Sequence, residues 1–408
     1  MRMLLKMAWR NLFRNKRRTF IAGTAIGIGL ASLIFVDALM IGMKENMIDS
    51  ATESFTGEAQ IHRQDYQESR DVEMTLQNAD SVMAALSHDP VVAAFAPRTY
   101  AFAMITSPSN VNSIQLVGID PDKEPALSLI DETMQKGEYL GEQSERQLII
   151  GSELADILKL SLNDRAVITV AQAFGGDMTQ EMFRVTGIYH FNIPEMDKGM
   201  AFVPLKKAQE MLNLNNQIHE IAINFTNSEI AQQSKHPFWQ RYNRMGNRAS
   251  SWTELMPQLE AALGLTDFST LIIAFILFGV VALGIINTLF MSIHERIFEF
   301  GVLRAVGTRP GSVGLLIFFE AGCLAFISIL WGCLLGYVLT WIVSQTGIDY
   351  TGIEFAGVTF RRLLYPVLQI HQFMTYPFWV FVFTLFIGLY PARYAAKMSP
   401  AEALQKTI

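Results

Sequence analysis

Two carboxylates stand where a carboxylate is expensive. Asp37 and Glu320 each interrupt an otherwise uncharged apolar run, residues 19–43 and 313–343. A charged side chain in hydrocarbon usually faces a bundle interior, a water-filled path or a polar neighbour. Two readings stay open: a proton- or substrate-linked group, or a side chain reaching a nearby interface or polar partner. Neither acid has a cationic partner within an apolar run. A second concentration of charge reads His294-Glu-Arg-Ile-Phe-Glu-Phe-Gly-Val-Leu-Arg-Ala-Val-Gly-Thr-Arg-Pro310. Ile293, Ile297, Phe300 and Leu303 give it an apolar stripe, against which Glu295, Arg296, Glu299 and Arg304 are charged. Gly307 and Pro310 end this helix. A short rigid helix showing both signs of charge suits docking of another protein; otherwise it is a plain connector.

Catalytic chemistry has no constellation to work with. The seven histidines, at 62, 88, 190, 219, 236, 294 and 371, nowhere pair at metal-ligand spacing on a helix. No G-x-S-x-G or G-x-x-x-x-G-K-[ST] run occurs, so neither a nucleophile elbow nor a phosphate cradle is expected, and no cofactor or metal. Gly23, Gly27 and Gly29 lie inside an apolar run, where small residues let helices approach closely; Gly332 and Gly336 repeat the small-xxx-small spacing. Cys323 and Cys333 would be about 15 Å apart on one helix, too far to bridge.

These residues need four membrane helices to hold them. Residues 271–293 carry 23 residues without a charge, about 34 Å of helix and enough to cross a bilayer. Residues 19–43, 313–343 and 373–392 qualify too, each with at most one charged side chain. The first run exceeds a signal-peptide core and no cleavage site follows, so it is expected to be retained. Residues 1–18 hold seven basic side chains and no acid. The connection 294–312 holds Arg296, Arg304 and Arg309, and the tail 393–408 holds Arg393, Lys397 and Lys406. The positive-inside rule puts these three segments, and both termini, in the cytoplasm. Residues 44–267 and the short loop 344–372 then lie outside, although Arg361 and Arg362 count mildly against that. Arg2, Lys6, Arg10 and Arg14 recur every four residues opposite Leu5, Trp9, Leu12 and Phe13. That pattern reads as an amphipathic helix in the plane of the inner surface, near anionic headgroups, or as a topology signal alone.

The outer segment alternates like strands. Residues 165–172 and 182–189 flank Gly175-Gly176-Asp177, a hairpin signal. Helices are expected over residues 152–160 and 205–212, which makes an α+β domain, in two lobes. At its edges, Val36, Met40, Met43, Met47 and Ala51, and Trp252, Leu255, Met256, Leu259 and Leu263, form apolar stripes at helical spacing. They predict stalk helices continuous with the membrane helices.

Three stretches carry a family resemblance. Glu295-Arg-Ile-Phe-Glu-Phe-Gly-Val-Leu-Arg-Ala-Val-Gly307 resembles the E-R-x-x-E-I-G-x-L-R-A-x-G stretch of ABC-transporter permeases of the MacB, lipoprotein-release and FtsX class. Ala8-Trp-Arg-Asn-Leu-Phe-Arg-Asn-Lys-Arg-Arg-Thr19 and Pro391-Ala-Arg-Tyr-Ala-Ala-Lys-Met-Ser-Pro-Ala-Glu-Ala-Leu404 are similar to that class's first and last segments. Val117-Gly-Ile-Asp-Pro121, Ile149-Ile-Gly-Ser-Glu-Leu-Ala155 and Phe202-Val-Pro-Leu-Lys-Lys-Ala-Gln209 look most like the lipoprotein-release (LolC/LolE-like) branch. The resemblance implies a permease of a bacterial inner membrane that is not itself an enzyme. It would pair with a second permease chain, identical or not, and with a cytoplasmic ATPase dimer that holds the ATP. It would move lipoproteins from the outer leaflet by mechanotransmission, with a periplasmic carrier or adaptor possible and no nucleic acid. Glu295, Arg296, Glu299, Gly301, Arg304 and Gly307 would form the coupling helix. The turn 173–181 departs from the branch: it is short and lacks proline, unlike a carrier-holding hairpin. Rival readings are an FtsX-like scaffold controlling outer hydrolases, a MacB-like exporter of peptides or drugs, and a secondary transporter using Asp37 and Glu320. The last lacks internally repeated membrane halves.

Overall fold

Helices that are apolar on every side need a solvent other than water, and four in this chain are of that kind. In the computed structural model, which describes residues 2–14, 16–141, 145–355 and 358–397 and omits the Arg18 side chain, the chain begins with α1 (Arg2–Arg14) and α2 (Lys16–Ala51). There follow β1 (Ala59–Arg63), α3 (Tyr66–Ser69), α4 (Ala79–Leu86), β2 (Val92–Thr106), β3 (Val111–Ile119), β4 (Met134–Gly137), β5 (Gln147–Gly151) and α5 (Ser152–Leu158). Next come β6 (Arg165–Ala171), β7 (Met178–Tyr189), α6 (Pro194–Gly199), β8 (Met200–Pro204), α7 (Leu205–Leu212), β9 (Glu220–Phe225), α8 (Glu229–Gln232) and α9 (Pro237–Tyr242). The last elements are β10 (Asn247–Ser251), α10 (Trp252–Leu255), α11 (Pro257–Glu295), α12 (Ile297–Ala305), α13 (Pro310–Thr346), β11 (Glu354–Phe355), β12 (Val358–Thr359) and α14 (Gln372–Lys397). The expected tail 393–408, and the third family stretch with it, lies outside the described residues beyond Lys397.

The chain divides into two units, residues 46–262 with 350–362, and the remainder. The helical unit holds four helices that are long and apolar enough to span a membrane, among the described residues. Leu30 and Ile34 of α2, Ile285 and Leu289 of α11, Ile317 and Leu324 of α13 and Val380 of α14 fill one core. Outside it, Phe275 and Leu283 of α11 and Met374 and Phe386 of α14 stay exposed, which suits lipid or another membrane chain rather than water. α2 and α13 run parallel and touch through their small residues. A Cβ on Gly332 would stand 2.9 Å from the Gly27 carbonyl oxygen, and one on Gly336 3.2 Å from Ala31 Cα. A Cβ on Gly23 would meet the Ser328 hydroxyl at 3.5 Å. Backbones this close leave no room for larger side chains.

In the other unit, strands β1 to β10 join one mixed sheet, ordered β10-β1-β9-β2-β3-β8-β5-β7-β4, with β6 pairing β2 and β7. β3 pairs with β8, and β5 with β7, in parallel; the other neighbours are antiparallel. The strand period of two loads both faces. Leu148 and Ile150 enter a core with Leu154, Phe183 and Met211, while Ile149 enters a second core with Phe202, Tyr189 and Phe55. The predicted hairpin is present as β6–β7, Arg165 opposite Arg184 and Ala171 opposite Met178. α7 covers the expected span and α5 stops two residues short of it, at Leu158. The strands form one sheet path.

One stripe is broken. Trp252 and Leu255 belong to α10, Met256 leaves helical geometry (φ −126°, ψ 66°), and Leu259 and Leu263 belong to α11. The cause is local: Pro257 crowds the backbone of the residue before it and disfavours the helical region there. The other stripe sits on α2, where Met47 and Ala51 are buried.

Candidate functional site

The charged connection between α11 and α13 folds as its sequence requires. α12 runs from Ile297 to Ala305, Gly307 takes a left-handed φ of +98°, and Pro310 starts α13 at a position where its missing N–H costs nothing. Ile293, Phe300 and Gly301 are buried beneath it. Arg304 donates to the Thr308 carbonyl at 3.2 Å, closing the end of the helix.

The direction in which the charges point corrects the sequence reading. Arg296 turns inward, while Glu299 stays partly exposed at the edge of the same network. Arg296 Nη1 donates to Glu320 Oε1 at 2.7 Å and its Nε to Glu299 Oε2 at 3.0 Å, with the guanidinium 5.0 Å from the Phe300 ring. Asn11 Nδ2 also donates to Glu320, at 2.7 Å, and Arg14 pairs with Glu299. Glu320 therefore has a cation, supplied from just before α12 rather than from an apolar run. The Arg14 hydrogen bond, with Arg296 behind it, holds the Glu299 carboxyl below its usual range. One network thus ties α1, α12 and α13 together.

What α12 leaves outside is apolar. Phe298 (48% exposed), Val302 (41%) and Val306 (83%) follow at intervals of four along one face, with Leu303 partly exposed beside them. Helical spacing alone could have shown this stripe, because positions 298, 302 and 306 are as periodic as 293, 297 and 300. Which of the two stripes faces the protein depends on α11 and α13, and that is not written locally.

The other intramembrane acid is also satisfied. Asp37 accepts from Gln372 Nε2 at 2.9 Å and Tyr376 Oη at 2.7 Å, with His371 Nε2 3.9 Å away. The α2–α13 register pairs Gly27 with Gly332, which sets Glu320 and Asp37 about 33 Å apart along the bundle. No shared ion site joins them.

The sheet unit holds two constellations that the sequence reading missed. Arg98 is fully buried, bound by both oxygens of buried Glu124 (2.5 and 3.1 Å), 3.4 Å from Glu220 and stacked 3.8 Å over Phe55. Ser152 and Asp197 both approach His190, at 2.8 and 3.1 Å. Both meet the same nitrogen, Nδ1, and Asp197 already accepts from the Phe191 and Asn192 amides. A relay needs the acid and the hydroxyl on opposite ring nitrogens, so this is no catalytic triad. Among the described residues no group of three metal-ligating side chains comes together. Arg361 stacks 4.9 Å from the Phe191 ring and Arg362 pairs with Glu53 at 3.0 Å, so both basic residues of the short loop have local partners.

Comparison with known proteins covers both units of the chain. Residues 19–235, more than half of it, match the MacB-like periplasmic core domain, and residues 271–400 match the FtsX-like permease C-terminal domain. The lipoprotein-releasing system transmembrane protein LolC of Xylella fastidiosa (strain 9a5c) is 22% identical, covering 93% of this chain and 92% of that one. LolE of Haemophilus influenzae is 23% identical over 81% of this chain and 82% of its own. The macrolide export ATP-binding/permease protein MacB of Psychrobacter arcticus is 23% identical over 98% of this chain, which spans 59% of that protein. The periplasmic region of MacB from Actinobacillus actinomycetemcomitans, a solved structure, is 15% identical with a TM-score of 0.35, covering 50% of this chain and 94% of that one.

Proposed function

We propose, from the premise that this chain belongs to the MacB/FtsX-like class of ABC-transporter permeases, that it is the membrane subunit of a lipoprotein-releasing transporter. A separate cytoplasmic ATPase dimer would supply the ATP hydrolysis. Its sheet unit would lie outside an inner membrane, with residues 1–18 and 294–312 on the cytoplasmic side. A second permease chain, identical or related, would complete the bundle against the exposed apolar faces of α11 and α14.

The observation that carries the coupling role is the outward stripe of Phe298 and Val302 on α12 and Val306 just past its end. An exposed apolar face on a short, well-anchored helix suits a groove on the ATPase. Behind it, the Arg296–Glu320 and Glu299–Arg14 pairs fix α12 to α13 and α1, so a push on α12 would be delivered to membrane helices rather than absorbed. Outside, Phe102 and Met104 of β2 and Met178 and Met182 of β7 stay exposed. They offer an apolar surface for a lipid-bearing partner or its carrier.

The test is co-purification with the ATPase of the same transporter, and ATP-driven release of a lipid-anchored protein from proteoliposomes. Phe298→Asp with Val302→Asp should abolish both while leaving the chain folded and inserted. Full retention of ATPase binding in that variant would overturn the assignment of α12. Normal ATPase binding without release of any lipid-anchored protein would overturn the cargo and leave the coupling reading intact.

A further inference from the structure

The face of α13 that carries α1 also carries a groove that neither coupling nor packing uses. It has a volume of about 900 Å³ and runs between α2 and α13, with Trp9 and Phe13 of α1 across one end. Phe326, Leu330, Trp331 and Leu334 line it and remain about half exposed. Its rim is Lys16 and Arg17, both exposed, and its lining includes no acid. The first acid of the chain is Asp37, far along α2. A long apolar trough ending at two cations has the polarity of one molecule, a phospholipid with a negative headgroup. On the other side of Trp9 and Phe326 a second apolar groove, of about 730 Å³, is rimmed by Arg2, Lys6 and Arg10 and also lacks an acid.

We propose that the α2–α13 groove is a binding site for an anionic phospholipid, its acyl chain along Phe326 to Leu334 and its phosphate at Lys16 and Arg17. A zwitterionic lipid could fill the trough and bring a phosphate, but its own ammonium would compete with Lys16 and Arg17 for that charge. Each cation near an anionic surface contributes about 1 kcal/mol, about a fivefold preference per residue. The inference needs only that α2 and α13 span a membrane, not the transport reading.

Trp331, which lines this groove and not the second, provides the probe. The full-length chain, in nanodiscs of phosphatidylcholine, receives equal small fractions of dibrominated phosphatidylglycerol or dibrominated phosphatidylcholine, whose bromines quench nearby tryptophan. A Trp331→Phe variant gives the background from the other tryptophans. The groove-specific quenching should favour phosphatidylglycerol by tenfold or more in apparent affinity. Lys16→Gln with Arg17→Gln should reduce that preference to less than threefold. Arg2→Gln with Lys6→Gln, on the other groove, should leave the quenching of Trp331 unchanged. Equal quenching by the two lipids in the native chain would overturn the proposal. So would a preference that survives in the Lys16→Gln/Arg17→Gln variant, or one that disappears equally in the Arg2→Gln/Lys6→Gln variant, since that is the response of a diffuse charged surface and not of this site. Free inorganic phosphate at millimolar concentration should not compete.

Discussion

Replacing Arg296 by Met tests the network that fastens α12, because it removes the cation and keeps most of the volume. Glu320 is left with Asn11 as its only partner described in the structure, and its side chain is 5% exposed. Breaking one member of a buried ion pair costs about 3–5 kcal/mol, mostly from the charge left behind. Glu320→Leu is the reciprocal change and should cost less. Arg296 then keeps its bond to Glu299, which is 37% exposed, so the loss is nearer one charge-assisted hydrogen bond, about 1.5–3 kcal/mol. The double variant, Arg296→Met with Glu320→Leu, buries neither charge and should be close to native in stability. The two single losses then do not add, and the interaction energy in the cycle should exceed about 2 kcal/mol.

Stability and function separate in that double variant. Its unfolding in mixed micelles should match the native chain, its ATPase should still bind through Phe298, Val302 and Val306, and cargo release should fall at least tenfold because α12 is no longer fixed to α13. Two results would refute the reasoning. A single Arg296→Met variant within about 0.5 kcal/mol of native, the range of ordinary surface changes, would mean the pair is not buried in the membrane. A double variant that releases cargo at the native rate would mean α12 transmits its motion without this anchor.

In the sheet unit, Arg98→Met should destabilise by about 3–5 kcal/mol, since Glu124 and Glu220 lose their shared cation; denaturant unfolding followed by Trp239 and Trp252 fluorescence measures it. Burial pushes the Glu220 carboxyl up, although Arg98 and Tyr100 draw it partly back. The folded state then holds that proton more tightly than the unfolded one, so this contribution to stability is full at low pH and is lost as pH rises through the raised value. Glu220→Gln should flatten that slope, and an unchanged slope would rule Glu220 out as its source. Gly332→Leu should separate α2 from α13 and cost more than Leu334→Ala at the exposed groove, measured by the same micelle unfolding. A cysteine replacing Ser228 should react with an impermeant reagent in intact cells and one appended after Ile408 should not; the reverse pattern would invert the orientation.

The membrane helices were legible because about twenty consecutive apolar residues have few alternatives. The β6–β7 hairpin was legible for a similar reason, as its turn and both strands are adjacent in sequence. The sheet order was not: β1 pairs with β9 and β10, more than 150 residues on, and no local pattern encodes such a pairing. The break at Met256 was different, since Pro257 announces it by a rule of nearest neighbours that the apolar spacing of Trp252, Leu255 and Leu259 obscured. At the candidate site, periodicity found α12 but left Arg296 facing outward with the other charges, whereas its guanidinium is buried against Glu320. A helical pattern separates apolar from polar positions; it does not say that Arg296 will reach a carboxylate 24 residues later in α13.

That misassignment has a physical logic that extends to Asp37. A carboxylate near the end of an apolar helix cannot stay in lipid unpaired, so the fold must bring donors to it, from α1 and the segment before α12 for Glu320 and from the start of α14 for Asp37. Asn11 and Arg296 reach Glu320 from the two elements at one end of the bundle. His371, Gln372 and Tyr376 gather at Asp37 about 33 Å away at the other. An ion pathway would need these acids open to water and linked along the bundle. Instead Glu320 is held by Arg296 and Asn11, Asp37 is held by Gln372 and Tyr376, and the closely packed glycines of α2 and α13 lie between them. Placed so, each acid holds neighbouring helices of its unit together. Glu320 joins α13 to α1 and to the segment before α12, and Asp37 joins α2 to α14, contacts that would stiffen the helical unit in the way the proposed function requires.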